Sequence, residues 1–132
     1  MKQLLIYTLI GVLLLAMGCA EKNPPRDEIP LIKGILGNLQ TAIQDRDTAR
    51  IDSLLSPIGR DLGYSGAGII AVAYPGGSST FHGLARKDFF YTDDRAVVNC
   101  FIQASPADSG RAVEMILEKR RDDWFIRRFD LK

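Results

Sequence analysis

The chain has 132 residues, 25% charged and 46% apolar, with 17 Lys and Arg against 16 Asp and Glu. That length holds one domain around one core, and the composition is that of a folding domain rather than a disordered tail. The near-neutral balance argues against a nucleic-acid partner, because phosphate binding needs an excess of basic residues on one face.

Lys2 precedes an almost unbroken apolar run over residues 4–15, which leads into Ala16, Met17, Gly18 and then Cys19. The run falls short of the ~20 apolar residues that cross a ~30 Å hydrocarbon core, so it does not read as a membrane span. Charge, apolar stretch and small residues in that order make a secretory signal. With a cysteine directly after the small-residue site, the segment resembles a bacterial lipoprotein signal. The resemblance implies that residues 1–18 are removed, that Cys19 is lipidated, and that the rest is tethered to a membrane of the cell envelope. An ordinary secretory signal in which Cys19 is incidental is the alternative.

A thiolate can carry a thioether-linked diacylglycerol, and the new amino terminus can take a further chain such as palmitate. Each buried CH₂ adds about 0.8 kcal/mol, so several long chains make a lasting anchor. Within that family an Asp after the cysteine tends to retain the protein in the inner membrane. Ala20 stands there instead, which implies the outer membrane, facing the periplasm, where the organism has two membranes.

Residues 20–28 are polar, charged and interrupted by Pro24-Pro25, which reads as an extended tether. The expected organisation is therefore a signal at 1–18, a lipidated cysteine and tether at 19–29, and a single domain at 30–132. If Cys19 carries lipid, Cys100 has no disulfide partner. It lies in the apolar run Val97-Val98-Asn99-Cys100-Phe101-Ile102, where a free cysteine acts as a small buried hydrophobe.

A first helix is predicted from about Pro30, with Ile32, Ile35, Leu36, Leu39, Ala42 and Ile43 on one face. Gly34 and Gly37 each cost close to 1 kcal/mol relative to alanine, so this helix needs tertiary packing. Asp47 is placed to cap a second helix through Leu55, with Ile51, Leu54 and Leu55 as its face, and Ser56-Pro57 restarts the pattern. Gly66-Ala67-Gly68-Ile69-Ile70-Ala71 matches the glycine spacing of a dinucleotide-binding loop. That loop must follow a buried strand, and Asp61-Leu62-Gly63-Tyr64-Ser65 is not one, so the segment reads as a capped helix or short buried stretch. Periodicity does not separate helix from strand over residues 66–74, and helix is the preferred reading.

Beyond the loop Pro75-Gly76-Gly77-Ser78-Ser79 the period changes to alternating. Phe89 and Tyr91 belong to a first strand, Asp93-Asp94 to a turn, and Val98, Cys100 and Ile102 to the inward face of a second strand. Ser105 to Gly110 turns the chain again, Val113, Met115 and Leu117 alternate in a third, and Asp122-Asp123 leads into a last strand beginning Trp124-Phe125-Ile126. The expected fold class is α+β: two or three N-terminal helices packed on a curved antiparallel sheet of about four strands. Helices first, then a sheet ending in Asp122-Asp123-Trp124-Phe125-Ile126-Arg127-Arg128-Phe129, is similar to nuclear-transport-factor-like and cystatin-like domains. The helical stretch Asp47-Thr48-Ala49-Arg50-Ile51-Asp52-Ser53-Leu54-Leu55 adds to that resemblance. It spans about residues 30–132 and speaks to the fold more than to any activity.

That superfamily includes SnoaL-type cyclases and ketosteroid isomerases, which place an Asp or His inside a cone of sheet and helices. Asp88 and His82 are the weak catalytic candidates. His82 is the single histidine, which excludes a multi-histidine metal site, and it follows a Gly-Ser-Ser-Thr loop where a solvated imidazole is expected. The register of Lys87-Asp88-Phe89-Phe90-Tyr91 is open, because either phase buries an aromatic. Ser78 and Ser79 lack the flanking glycines of a nucleophile elbow. No cofactor and no metal site is implied. Lys119, Arg120, Arg121, Arg127 and Arg128 flank the last hairpin and form a possible basic interaction patch, the alternative being a solvated hairpin whose charges discourage edge pairing. The reading is of a membrane-anchored, non-enzymatic binding or interaction module. Its partner is an envelope protein or an anionic surface. A small-molecule enzyme or ligand pocket of the SnoaL or ketosteroid-isomerase type is the alternative.

Overall fold

The computed structural model describes residues 27–78 and 80–132; the expected signal, Cys19 and the expected tether up to residue 26 lie outside the described residues. The described chain is α+β: helices α1 (Ile29–Gln44), α2 (Thr48–Leu54), α3 (Pro57–Asp61) and α4 (Gly66–Ala73), then strands β1 (Gly83–Tyr91), β2 (Arg95–Gln103), β3 (Arg111–Arg120) and β4 (Asp123–Leu131). The strands form one open antiparallel sheet in the order β1-β2-β3-β4. Among the described residues, no helix is long and apolar enough to cross a membrane.

Pro30 lies in the first turn of α1, where its missing N–H costs nothing, and Ile32, Ile35, Leu36, Leu39, Ala42 and Ile43 are all buried. The Asp47 carboxylate accepts the Arg50 amide at 3.1 Å and starts α2; Ser56 and Ser65 start α3 and α4 in the same way through Gly59 and Gly68. Residues 66–73 are helical, as the sequence suggests, and the amides of the dinucleotide-like glycines are used internally. That of Gly66 donates to Asp52 Oδ1 at 2.6 Å, and that of Gly68 donates to Ser65 Oγ at 3.0 Å. Tyr74 fixes the end of α4 by donating its hydroxyl to the Ile43 carbonyl at 2.9 Å, beneath the Arg46 guanidinium at 3.9 Å from the ring centre.

The helix face of the sheet carries Val98, Cys100 and Ile102 from β2 and Val113, Met115 and Leu117 from β3, all buried with the α1 face in one cluster. Ile126 and Phe129 of β4 complete it. β1 starts well before the aromatic residues that announced it, at Gly83. A bulge at Arg86, whose φ of 51° lies in the left-handed region, breaks the register between Ala85 and Asp88. The bulge sets the phase that the sequence leaves open: Asp88 pairs with Asn99 and Phe90 with Val97 on the outer face, while Phe89 packs toward the core.

The composition of residues 20–28 places Glu28 in the tether, and the structure corrects this. Glu28 is 5% exposed and belongs to the domain. Its Oε1 lies 2.7 Å from Lys119 Nζ and its Oε2 accepts the indole N–H of Trp124 at 2.7 Å. The chain therefore enters the fold beside the β3–β4 hairpin.

Candidate functional site

The β3–β4 hairpin turns through Arg121 and Asp122, with φ of 51° and 68°. Two successive left-handed residues match the twist of the flanking strands. The turn holds Arg120 and Arg121 out in solvent, with Arg120 opposite Asp123 in the ladder.

A third cation arrives from a distant part of the sequence. The Ser56 amide donates to the Ile126 carbonyl at 2.8 Å, and Leu55 forms a parallel bridge with Ile126, so the α2–α3 junction closes the β4 edge. α3 approaches closely because Gly59 has no side chain: a Cβ there would lie 2.9 Å from the carbonyl oxygens of both Ile126 and Arg127. The next residue, Arg60, is thereby brought to the hairpin. An open groove of about 610 Å³ is lined by Arg60, Arg120 and Arg121, by Leu55, Pro57 and Phe125, and by Ser53 and Asp123. Asp123 and Phe125 also line a second groove of about 390 Å³, together with Trp124 of β4 and with Pro30 and Leu31 at the start of α1.

The five basic residues anticipated as a patch are used differently. Lys119 is bound to Glu28, Arg127 Nη1 lies 3.6 Å from Glu118 Oε2, and Arg128 Nε lies 3.3 Å from Asp130 Oδ2. Among the described residues, no ion pair engages Arg60, Arg120 or Arg121. The groove is thus made by two of the predicted residues and by Arg60, which no local pattern marks. Arg128 also donates to the Tyr64 hydroxyl at 3.4 Å, and that hydroxyl donates to Asp130 at 2.5 Å. Burial, then the bond to Asp130, raises the Tyr64 pKa, and the bond to Tyr64 raises that of Arg128.

Asp88 and His82 are both exposed and lie outside the core cluster. His82 is fixed through its backbone, its amide donating to Gln103 and its carbonyl accepting from Gln44. The core side of the sheet offers Cys100, whose thiol is pushed up to about 11 by burial, a value that keeps it protonated and unreactive. Glu118 is buried although it faces away from the core, and its Oε1 has no hydrogen-bond partner among the described residues. No cluster of three or more metal-binding side chains occurs among the described residues. Chemically, the groove combines three guanidinium groups with apolar side chains, a lining suited to holding an anion with an apolar portion.

Compared with protein-family models, curated proteins and solved structures, the chain finds no match.

Proposed function

We propose that this chain is a membrane-anchored lipoprotein of the bacterial cell envelope, lipidated at Cys19, whose domain is a non-enzymatic binding module of nuclear-transport-factor-like or cystatin-like design. The order of Lys2, the apolar run, Ala16-Met17-Gly18 and Cys19 supports the anchor. Ala20 supports the outer membrane, facing the periplasm, in an organism with two membranes. The four-stranded antiparallel sheet with helices before it in the chain supports the fold reading.

The observation that carries the non-enzymatic reading is the closed interior. Where a cone-shaped enzyme of this architecture would keep a polar pocket, Ile32, Leu36 and Leu39 pack with Val98, Val113, Met115 and Leu117, each at most 1% exposed. Asp88 and His82 are exposed and lie outside that packed interior. The module works by presenting a surface.

The test is complementation of a deletion strain with stably expressed variants, together with metabolic labelling by a palmitate analogue. Cys19→Ser is expected to abolish labelling and membrane partition. Asp88→Ala and His82→Ala are expected to complement fully. Labelling that survives Cys19→Ser overturns the anchor, and failure of a folded, lipidated Asp88 or His82 variant overturns the non-enzymatic reading in favour of the enzyme.

A further inference from the structure

We propose that the groove flanked by Arg60, Arg120 and Arg121 docks the domain onto anionic lipid headgroups of the bilayer to which the chain is tethered. The proposal rests on the lipid anchor above and goes further by naming the end of the domain that meets the membrane and the chemistry it meets there.

Three observations converge on that end. Glu28, clasped by Lys119 and Trp124, fixes the point where the chain enters the domain, and that point is beside the β3–β4 hairpin. From Cys19 to Glu28 even a fully extended chain spans at most about 30 Å. The hairpin end is therefore the one the tether holds toward the bilayer. Such tethering sets a high effective concentration, so a contact too weak to recruit a free protein still determines how a tethered one sits.

Basic charge collects at the same end, as it does at a second groove lined by Lys33, Arg86 and Lys87 beside β1. At the opposite end of the sheet the basic side chains are committed internally: Arg86 donates to the Ser109 carbonyl, Arg111 donates to the Val72 carbonyl at 2.6 Å, and Lys132 lies 3.5 Å from Glu114. Arg60, Arg120 and Arg121 are exposed and carry no ion pair among the described residues. Of the residues around their groove only Asp123 is acidic, so its lining is net positive. Guanidinium groups bind phosphate through paired N–H donors, and this fork geometry is retained when water is partly excluded. Pro57 and Phe125 in the same lining offer apolar surface to the glycerol and upper acyl portion of that lipid.

The test is hydrogen exchange on the acylated, full-length mature protein reconstituted in vesicles of phosphatidylcholine alone or with phosphatidylglycerol. Peptides spanning residues 53–61 and 117–124 are expected to exchange several-fold more slowly in the anionic vesicles. Raising salt to about 1 M, where the screening length falls to about 3 Å, should remove the difference. The joint change Arg60→Gln, Arg120→Gln and Arg121→Gln should remove it too. A Lys33→Gln, Lys87→Gln protein, altered at a separate basic groove beside β1, should retain it.

Intact mass separates the two ideas under test. A chain without acyl groups on Cys19 overturns the anchor and this proposal with it. An acylated chain whose hairpin exchanges equally in both vesicles, or is protected only around residues 105–110, overturns the docking and leaves the anchor standing. Protection produced by free inorganic phosphate at the same concentration as the lipid, and not enhanced by vesicles, also overturns it, since the groove would then be a soluble-anion site.

Discussion

Trp124 donates its indole N–H to Oε2 of Glu28 at 2.7 Å, joining the residue before the first helix to the start of the last strand. The other carboxylate oxygen holds Lys119 at 2.7 Å, so one side chain secures both strands of the terminal hairpin. Removing the carboxylate would leave a buried N–H without its acceptor and a half-buried ammonium without its counter-charge. Glu28→Ala is expected to destabilise the domain by about 2–4 kcal/mol in urea unfolding. Glu28→Gln keeps an acceptor for Trp124 and should cost less. Equal stability of all three proteins would show that the clasp contributes nothing.

Glu28 also shows why part of the fold was hidden in the sequence. Its neighbours are polar and proline-rich, the composition of a linker, and its partner lies 96 positions away. By contrast the α1 face and the inward residues of β2 and β3 were legible, because one periodic segment buries one stripe without reference to anything distant. β1 was only half legible, since the bulge at Arg86 breaks the alternation on which strand reading depends. The groove failed for a related reason. Arg120 and Arg121 are marked by the hairpin, whereas Arg60 arrives only because Gly59 lets α3 rest on the β4 backbone.

That close approach gives a second prediction. A methyl at position 59 would stand 2.9 Å from two carbonyl oxygens that belong to β4 and yield little. Gly59→Ala should push α3 off the strand and cost about 1–3 kcal/mol of stability. Since Arg60 moves with α3, the same variant should also weaken the proposed contact with anionic vesicles. An alanine variant with the parent's urea midpoint would mean that the packing is looser than drawn.

Cys100 carries a pH prediction. Its folded pKa is about 11 against an ordinary 9.0, because burial disfavours the thiolate and Lys87 offsets this only in part. The raised pKa means the unfolded state loses its proton first as pH rises. Stability from this group is therefore complete below about pH 9 and is lost between 9 and 11, by roughly 3 kcal/mol at most. Urea midpoints measured across that window should fall more steeply for the parent than for Cys100→Ala. Below it, a thiol reagent should leave Cys100 unlabelled until the domain unfolds, and rapid labelling of the native protein would contradict its burial.

The last prediction separates stability from surface function. Met115 and Leu117 are fully buried on the inner face of β3, and truncating either removes apolar contacts and leaves a cavity bounded by α1 and the neighbouring strands. Met115→Ala or Leu117→Ala is expected to cost about 2–5 kcal/mol. Asp88 and His82 are exposed, so Asp88→Ala and His82→Ala should each stay within about 0.5 kcal/mol of the parent. Arg120 and Arg121 are exposed too, and changing both to glutamine should leave the urea midpoint near that of the parent while loosening the hairpin's contact with anionic vesicles. The core variants should do the reverse, retaining that contact at temperatures where they remain folded. If Leu117→Ala proved harmless to stability, the inner face would not be the closed, load-sharing core on which the non-enzymatic reading depends, and room for a ligand between α1 and β3 would have to be admitted.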